Sequence, residues 1–392
     1  MHTWLMAAGR ATGYAQPAGT TKYLVVAGDL AIPVAGPHNS PVYAWGPYTW
    51  ASLSLRVIRN FTTAPSTVRS WKNGSPGNQA VLIGPGQVGL FQDLMGNDLL
   101  AERDFFAWKV VNGGGGVLVY TIIACILSSD SPIPMLICGN EIEQQSYGHN
   151  RFAAIAGMPD ATSKEDRAKY TFRTPSILSH LQVSVYPGNL NGPVIFRLRK
   201  NSSNGNQAIY IPQGGFGDFV DRQNTDLISP GDSVNYKMEI GGTSGKVAFR
   251  GYQLRSESQG RQVAAATPSK DGKSLGFGSV AYLPVEGVCQ WYARQEADVQ
   301  TPALCSFLAK NMFVRIGDNG LNGPSTFRLR KNGGDSGLGV IVGPGQKGIF
   351  EDLENTMDFS PADLLDWQIM AGGSWGSIRP TYVGFELSTI GA

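Results

Sequence analysis

The sequence predicts an all-β protein of three tandem antiparallel β-sandwich, jelly-roll-like domains. Three observations lead to this prediction. The chain of 392 residues holds 50 glycines and 23 prolines, short stretches alternate apolar and polar side chains, and one segment occurs three times. Glycine and proline favour turns, and the 42% of hydrophobic residues can fill cores between them. Only 16% of the residues are charged, which argues against a coiled coil or a disordered chain.

The repeated segment keeps its register in all three copies. Lys72, Lys200 and Lys331 lie 128 and 131 residues apart, and a phenylalanine, two aspartates and a glycine pair recur at the same spacings. The period is close to a third of the chain, so each copy is long enough for a domain with its own core. We therefore expect three domains in series, at residues 1–130, 131–263 and 264–392.

Each copy has the pattern of short strands joined by turns. Residues 326–331 alternate Phe and Leu with two arginines, which indicates a strand with one buried face. An Asn-Gly pair follows in the first and third copies and suits a type I′ hairpin turn. The second copy has Asn201 and Ser202 there, which leaves its turn open to another type. About eight strands per copy predict an antiparallel sandwich, and the only helix expected is a turn or two near residues 164–168.

Two aspartates recur in every copy and are the candidate turn residues. An aspartate carboxylate stabilises a turn by accepting hydrogen bonds from backbone N–H groups, so we predict a structural role. A Ca²⁺ site is the alternative, with Glu351, Asp352 and Glu354 as its best location. The six aspartates are Asp93, Asp221 and Asp352 at strand ends, and Asp104, Asp232 and Asp363 at strand starts.

Arginines and tryptophans supply the candidate contact residues. The alternation places two arginines of the second and third copies on an exposed strand face, where they meet solvent or acidic groups of a partner. Trp45 and Trp50 lie in a stretch rich in Gly, Pro and Tyr, which indicates a core or interface role, with sugar stacking as the alternative. The arginines are Arg197, Arg199, Arg328 and Arg330.

Several functional classes are disfavoured. The histidines occupy unrelated positions in the copies and no nucleophile motif occurs, so we predict no enzymatic activity, no cofactor and no resident metal. A formal charge of +2 gives no reason to expect nucleic acid as a partner. The longest apolar run, residues 117–127, is too short to span a bilayer. No secretory leader is recognised, and the cysteine pattern suits a reducing cytosol.

The third copy resembles a repeat module of tailed-bacteriophage virion structural proteins. The resemblance runs from residues 296–316 through the TFRLRKNG hairpin to the stretch AGGSWGSI. Shared features are an opening Thr-Pro, the LRKNG hairpin, an aspartate–asparagine segment and a Gly-Asp turn. The second copy matches at residues 196–201 and 231–232, and the first copy matches loosely. The resemblance implies a β-sandwich on a virus particle, often in trimers, with no catalytic residues to carry over.

The sequence and this resemblance together predict a non-enzymatic virion protein. We expect a capsid decoration (cement) or head-fibre protein, a homotrimer, made in the host bacterial cytoplasm and bound to the major capsid protein or other virion proteins. The first domain diverges most from the others and is the expected docking domain. The alternative is a tail fibre or spike that recognises a host surface glycan. A bacterial adhesin would need a secretory leader, and a glycan-degrading enzyme would need a carboxylate pair.

Overall fold

The protein is described from a computed structural model over residues 2–24, 26, 42–129, 135–155, 161–258, 261–266, 274–288 and 292–389. Nearly all regular structure in these ranges is β-strand, which confirms the all-β prediction. The helical turn predicted near residues 164–168 is α1 (Glu165–Ala168). Within the described ranges, no helix is long and apolar enough to cross a membrane.

The first module occupies the N-terminal third of the chain. Its strands are β1 (His2–Pro17), β2 (Thr21–Leu24), β3 (Val42–Tyr43), β4 (Tyr48–Asn60), β5 (Ser66–Lys72), β6 (Ser75–Ile83), β7 (Gly89–Leu100), β8 (Phe105–Val111) and β9 (Val117–Ser129).

The second module repeats this series and contains α1. Its strands are β10 (Met135–Ser146), β11 (His149–Ala153), β12 (Tyr170–Thr171), β13 (Ser176–Val185), β14 (Val194–Lys200), β15 (Ser203–Ile211), β16 (Gly217–Ile228), β17 (Ser233–Ile240) and β18 (Lys246–Ser258).

The third module repeats it once more and has a 3₁₀ turn at Glu296–Asp298. Its strands are β19 (Arg261–Ala266), β20 (Leu275–Gly276), β21 (Val280–Leu283), β22 (Gly287–Val288), β23 (Thr301–Pro302), β24 (Phe307–Asn319), β25 (Ser325–Lys331), β26 (Gly334–Val342), β27 (Gly348–Phe359), β28 (Leu364–Met370) and β29 (Ser377–Thr389).

The strand order within each module is that of a jelly roll. In the first module, sheet I runs β1-β9-β4-β7, and sheet II runs β2-β8-β5-β6 with β3 also paired to β8. When β2 and β3 count as one interrupted strand, pairing is nested: first with eighth, second with seventh, third with sixth, fourth with fifth. Two sheets in this nested order make an antiparallel jelly-roll sandwich.

The other two modules have the same order. Sheet I runs β10-β18-β13-β16 in the second module and β19-β29-β24-β27 in the third. Sheet II runs β11-β17-β14-β15 with β12 beside β17, and β21-β28-β25-β26 with β23 beside β28. The prediction of three tandem sandwiches is therefore confirmed.

Strand β19 shifts one of the expected domain boundaries. It pairs with β29, as β1 pairs with β9 and β10 with β18. Residues 261–263 therefore belong to sheet I of the third module, although the sequence assigned them to the second. The expected boundary at residues 130–131 lies outside the described residues.

Strand β22 connects the first and third modules. It pairs in parallel with both β1 and β19, so the two copies of sheet I form one ten-stranded sheet. The Glu286 carboxylate, just before β22, is buried and accepts a 2.6 Å hydrogen bond from the backbone N–H of Ala7. A charge-assisted bond of this kind is among the stronger ones in proteins.

The edge of sheet II in one module contacts sheet I of the next. The Tyr43 hydroxyl donates to Asp218 Oδ2 at 2.7 Å, and its backbone N–H donates to Gln253 Oε1 at 3.0 Å. In the second module, the Thr171 hydroxyl lies 2.7 Å from the Tyr382 hydroxyl of the third. Tyr43 and Thr171 are 128 residues apart, so equivalent positions make both contacts.

A third contact joins the third module to the first. Arg56 Nε on β4 donates to the Gln300 carbonyl at 3.0 Å, and the Thr121 hydroxyl on β9 donates to the Asp298 carbonyl at 2.5 Å. Asp298 and Gln300 directly precede β23, the counterpart of β3 and β12. The three contacts run head to tail and close into a ring, so the modules are not a linear series.

The hairpin turn between the fourth and fifth strands of the jelly roll is the same in every module. Asn73 and Gly74 have φ values of 48° and 84°, and Asn201 and Ser202 have values of 49° and 65°. The second copy therefore keeps the turn geometry although it lacks the glycine. A serine at positive φ is strained, because its Cβ approaches backbone atoms that glycine leaves free.

We predict that Ser202→Gly stabilises the protein by about 1 kcal/mol, because it removes this strain. Urea unfolding at neutral pH measures the change. Gly74→Ser is the matched reverse variant and should lower the free energy of unfolding by a similar amount. Equal stability of Ser202→Gly and the parent would contradict the prediction.

Candidate functional site

The aspartates predicted at strand starts lie in a lysine–asparagine turn. Asp104 Oδ2 accepts a 2.7 Å bond from the Ala101 N–H and lies 3.0 Å from Lys72 Nζ. Asp104 Oδ1 accepts a 2.6 Å bond from the Asn73 side chain. The other two modules repeat these contacts with Asp232 and Asp363. All three carboxylates are thus bonded to groups of their own turn.

The aspartates predicted at strand ends lie at bulges in β7, β16 and β27. Asp352 Oδ2 accepts from the Gly339 N–H at 3.0 Å, and Oδ1 accepts from the Asn355 N–H at 3.1 Å. Burial alone would raise the pKa of Asp352, but these backbone donors outweigh it and hold the pKa below its ordinary value. Asp93 and Asp221 bond equivalent N–H groups. Each carboxylate ties sheet I to sheet II.

The proposed Ca²⁺ location has other contacts in the structure. Asp352 is bonded to backbone N–H groups, and Glu351 forms an ion pair with Arg173 of the second module. Over the described ranges, no group of three or more His, Cys, Asp and Glu side chains could hold a metal ion.

Arg199 and Arg330 lie on the outer face of sheet II but are covered by a segment of their own module. Each guanidinium forms a two-pronged pair with one glutamate, at 3.0 and 3.2 Å for Glu165 and 2.9 and 3.2 Å for Glu296. Glu165 begins α1, and Glu296 begins the 3₁₀ turn. The arginines therefore attach these turns to sheet II, and their side chains are only 13% exposed.

Arg197 and Arg328 lie on the outer face of sheet II and have acidic neighbours in their own module. Arg197 Nε is 3.6 Å from Glu239 Oε1, which also lies 3.0 Å from Lys237 Nζ. Arg328 forms an ion pair with Asp335. The positive charge of each of these two arginines is therefore balanced by an acidic side chain on the same surface.

The first module has a different outer face on sheet II. Arg69 and Lys109 occupy the positions of Arg197 and Lys237, each 128 residues earlier. Trp71 occupies the position of Arg199, and Lys109 Nζ lies 4.1 Å from the centre of its ring. An open groove of about 450 Å³ runs along this face. Its lining residues are Thr67, Arg69, Trp71, Pro76, Ala80, Val81, Leu82, Lys109 and Val111.

Trp71 is the functional candidate that the sequence reasoning missed. The signal was visible, because the other two copies have arginine at this position. A residue type that breaks a repeat marks a place where one copy has a separate environment.

Of the two predicted tryptophans, Trp45 lies at a contact between modules and Trp50 does not. The Trp45 ring centre is 5.2 Å from that of His180 in the second module. Trp50 is fully buried in the first core, with its ring centre 4.3 Å from Trp108 and 5.1 Å from Phe106. Of the two roles predicted for this pair, Trp50 therefore has the core role, because its side chain on β4 points between the two sheets.

A large apolar side chain is exposed at the same position of all three modules. Leu82, Tyr210 and Ile341 lie near the ends of β6, β15 and β26 and are 65%, 63% and 70% exposed. Single exposed apolar side chains are common on protein surfaces, and these three differ from the rest in recurring at one position of every module.

Asp366 is a buried acid next to the third module's arginine–glutamate pair. It is fully buried on β28, and none of the described donors bonds its carboxylate oxygens. Burial and then the Glu296 charge raise the pKa of Asp366 to about 8, while Arg330 and Arg56 oppose the shift. The second module has Asn235 at the equivalent position, so only the third module carries this acid.

Comparisons with known proteins add little to this description. No protein-family model and no curated protein matches the chain. One similar solved structure concerns the triple jelly-roll fold and turret assembly in an archaeal virus, with a TM-score of 0.21 and 13% identity over 89% of this chain and 82% of that chain. Another is the atomic structure of Sulfolobus turreted icosahedral virus, with a TM-score of 0.19 and 13% identity over 88% and 81%. TM-scores this low do not establish a shared fold, so the fold assignment rests on the strand order. The resemblance to tailed-bacteriophage proteins stays a prediction.

We predict that Asp366→Asn makes stability less dependent on pH. The pKa of Asp366 is higher in the folded protein than in the unfolded chain. Its contribution to the stability of the folded protein is therefore greatest below about pH 4, where Asp366 is protonated in both states, and that contribution is lost as the pH rises toward 8. The variant lacks this loss, so the difference between its free energy of unfolding and that of the parent should increase by up to about 1.4 kcal/mol per pH unit. Urea unfolding between pH 4 and about 9 measures this.

The second module supplies a matched control. Asn235→Asp places an acid beside the Arg199–Glu165 pair and should lower stability more at high pH than at low pH. Parallel pH curves for the parent and Asp366→Asn would show that the Asp366 pKa is not raised by its surroundings.

Proposed function

We propose that the protein is a non-enzymatic structural protein of a virus particle, acting as a capsid decoration, cement or head-fibre protein. The observation that carries the proposal is the large apolar side chain exposed at one equivalent position of each module. Three such groups on one chain suit adhesion to a neighbouring protein by buried area. The proposed location is the virion, after synthesis in the host bacterial cytoplasm.

The ring of three similar modules favours binding at a position of three-fold symmetry on the particle. Because the modules are similar and contact one another head to tail, each presents its sheet II face in an equivalent way. We propose the major capsid protein or another virion protein as the partner, with no role for nucleic acid or membrane. The expected homotrimer stays a prediction, and sedimentation of the purified chain decides between three copies and one copy with an internal three-fold repeat.

The first module remains the proposed docking domain, with Leu82 in its contact and with Tyr210 and Ile341 of the other two modules adding to the same contact with the particle. Because β1 pairs with β22, removal of residues 1–130 would also expose the third module's sheet edge. Loss of particle binding by that truncation would therefore be ambiguous, and point substitutions on the intact chain are the better test.

A tail fibre or spike that recognises a host surface glycan is the second candidate. The observation that favours it is the groove beside Trp71 on the first module, because an aromatic ring in an open groove can stack on a sugar. Copy number separates the two candidates. Hundreds of copies per particle, counted by quantitative mass spectrometry, fit decoration, whereas a few fit a tail or vertex fibre.

We predict that the double variant Tyr210→Ser, Ile341→Ser binds particles at least about tenfold more weakly than the parent, because each change removes apolar area from the contact. Co-sedimentation with particles assembled without the protein measures binding. This variant leaves the first-module groove intact.

The matched control is Glu354→Ser, an exposed polar position on β27. It should bind particles like the parent. Undiminished binding by the double variant would contradict the proposed contact surface, provided that both variants unfold at the parent's temperature.

A further inference from the structure

The first module keeps the cations of the sheet II face but has lost the acids that compensate them elsewhere. Val111 stands where the second module has Glu239, the partner of Arg197 and Lys237. Pro76 stands where the third module has Asp335, the partner of Arg328. Within the described ranges, neither Arg69 nor Lys109 forms an ion pair, and the groove lining contains no acid. The groove is therefore positively charged.

The space between these cations is apolar and large enough for a ligand. Trp71 lies at one side of the groove, and the exposed Leu82 and Val111 side chains, 65% and 36% accessible, face solvent beside it. A volume of about 450 Å³ lies within the range of small-molecule sites. Aromatic and aliphatic groups next to cations that have no acidic partner favour a ligand with both an apolar face and a negative charge.

An acidic sugar fits this combination better than an acidic peptide. The groove lies on the face of sheet II, where the backbone groups of β5 are already bonded to β6 and β8. A peptide strand would therefore find no free backbone partners on this face, and β-strand addition requires a free edge. A pyranose ring needs none, since its C–H face packs on apolar side chains and its carboxylate or sulfate pairs with the cations.

We propose that this groove binds an anionic saccharide, with Arg69 and Lys109 pairing the negative group and Trp71, Leu82 and Val111 contacting the sugar ring. The proposal rests on the second candidate function, which uses the same groove, and specifies the class of glycan; it does not depend on the decoration role, which is tested separately by particle binding. Its affinity decreases as salt is added, because both cations are near the surface.

Isothermal titration calorimetry of the full chain tests the site. The probes are oligogalacturonate and chondroitin sulfate oligosaccharides, with neutral dextran oligosaccharides of the same length and poly-L-glutamate for comparison. We expect at least one acidic saccharide to bind at least about tenfold more tightly than the dextran and the polypeptide. Equal binding of dextran, tighter binding of poly-L-glutamate, or binding of neither acidic saccharide would overturn the proposal.

Two substitutions make the test specific. Val111→Glu introduces the acid that the second module has at this position, Glu239, and Trp71→Ser removes the aromatic ring. Each should weaken saccharide binding at least about tenfold. Arg197→Gln, on the equivalent face of the second module, should leave binding unchanged. Unaltered binding by Val111→Glu at unchanged thermal stability, or a loss with Arg197→Gln, would place the ligand elsewhere.

Discussion

The structure depends on the contact that each module makes with the next one. The sheet II edge of one jelly roll, at β3, β12 or β23, lies on sheet I of its neighbour. Tyr43 and Thr171 stand at equivalent positions and each forms a side-chain hydrogen bond to the next module, with different partners. The backbone before β23 closes the cycle on Arg56. Head-to-tail contacts of this kind either close or continue indefinitely. Here they close after three modules, so each copy of sheet I contacts the sheet II edge of one neighbouring module.

This division of surfaces explains how the modules could diverge. Residues inside the two sheets and at the turns must satisfy the same geometry three times, so the bulge aspartates and the turn asparagines recur. The sheet II face has no such constraint. There the second and third modules pair their arginines with Glu165 and Glu296, while the first module has Trp71. The arginine–glutamate pair near Asp366 differs from its counterpart near Asn235 in two acids, Asp366 itself and Asp335, which also pairs with Arg330 where the second module has Asn204. Asp366 is the buried one of the two acids, and the pH response predicted above rests on it.

The strands and turns of each module could be predicted from the sequence, whereas the contacts between modules could not. Strand alternation, turn residues and the constant register gave three antiparallel sandwiches and the helical turn α1, because those features are set by local backbone geometry. The pairing of Arg199 with Glu165 was missed, since alternation shows which face a residue shares but not what covers that face. The ring was missed for the same reason, because Tyr43 and Asp218 are 175 residues apart and no local pattern links them.

The comparison of equivalent positions is therefore more informative than any single residue. An arginine on an exposed strand is ordinary, and so is a valine. Arg69 and Lys109 become significant only because the same cations are paired in the second module and the acid that pairs them has become Val111 in the first. Loss of a compensating acid leaves two like charges close together, which is unfavourable unless a negative group occupies the site. An anion that binds on this face therefore relieves the repulsion between Arg69 and Lys109, and this relief adds to the anion's binding free energy.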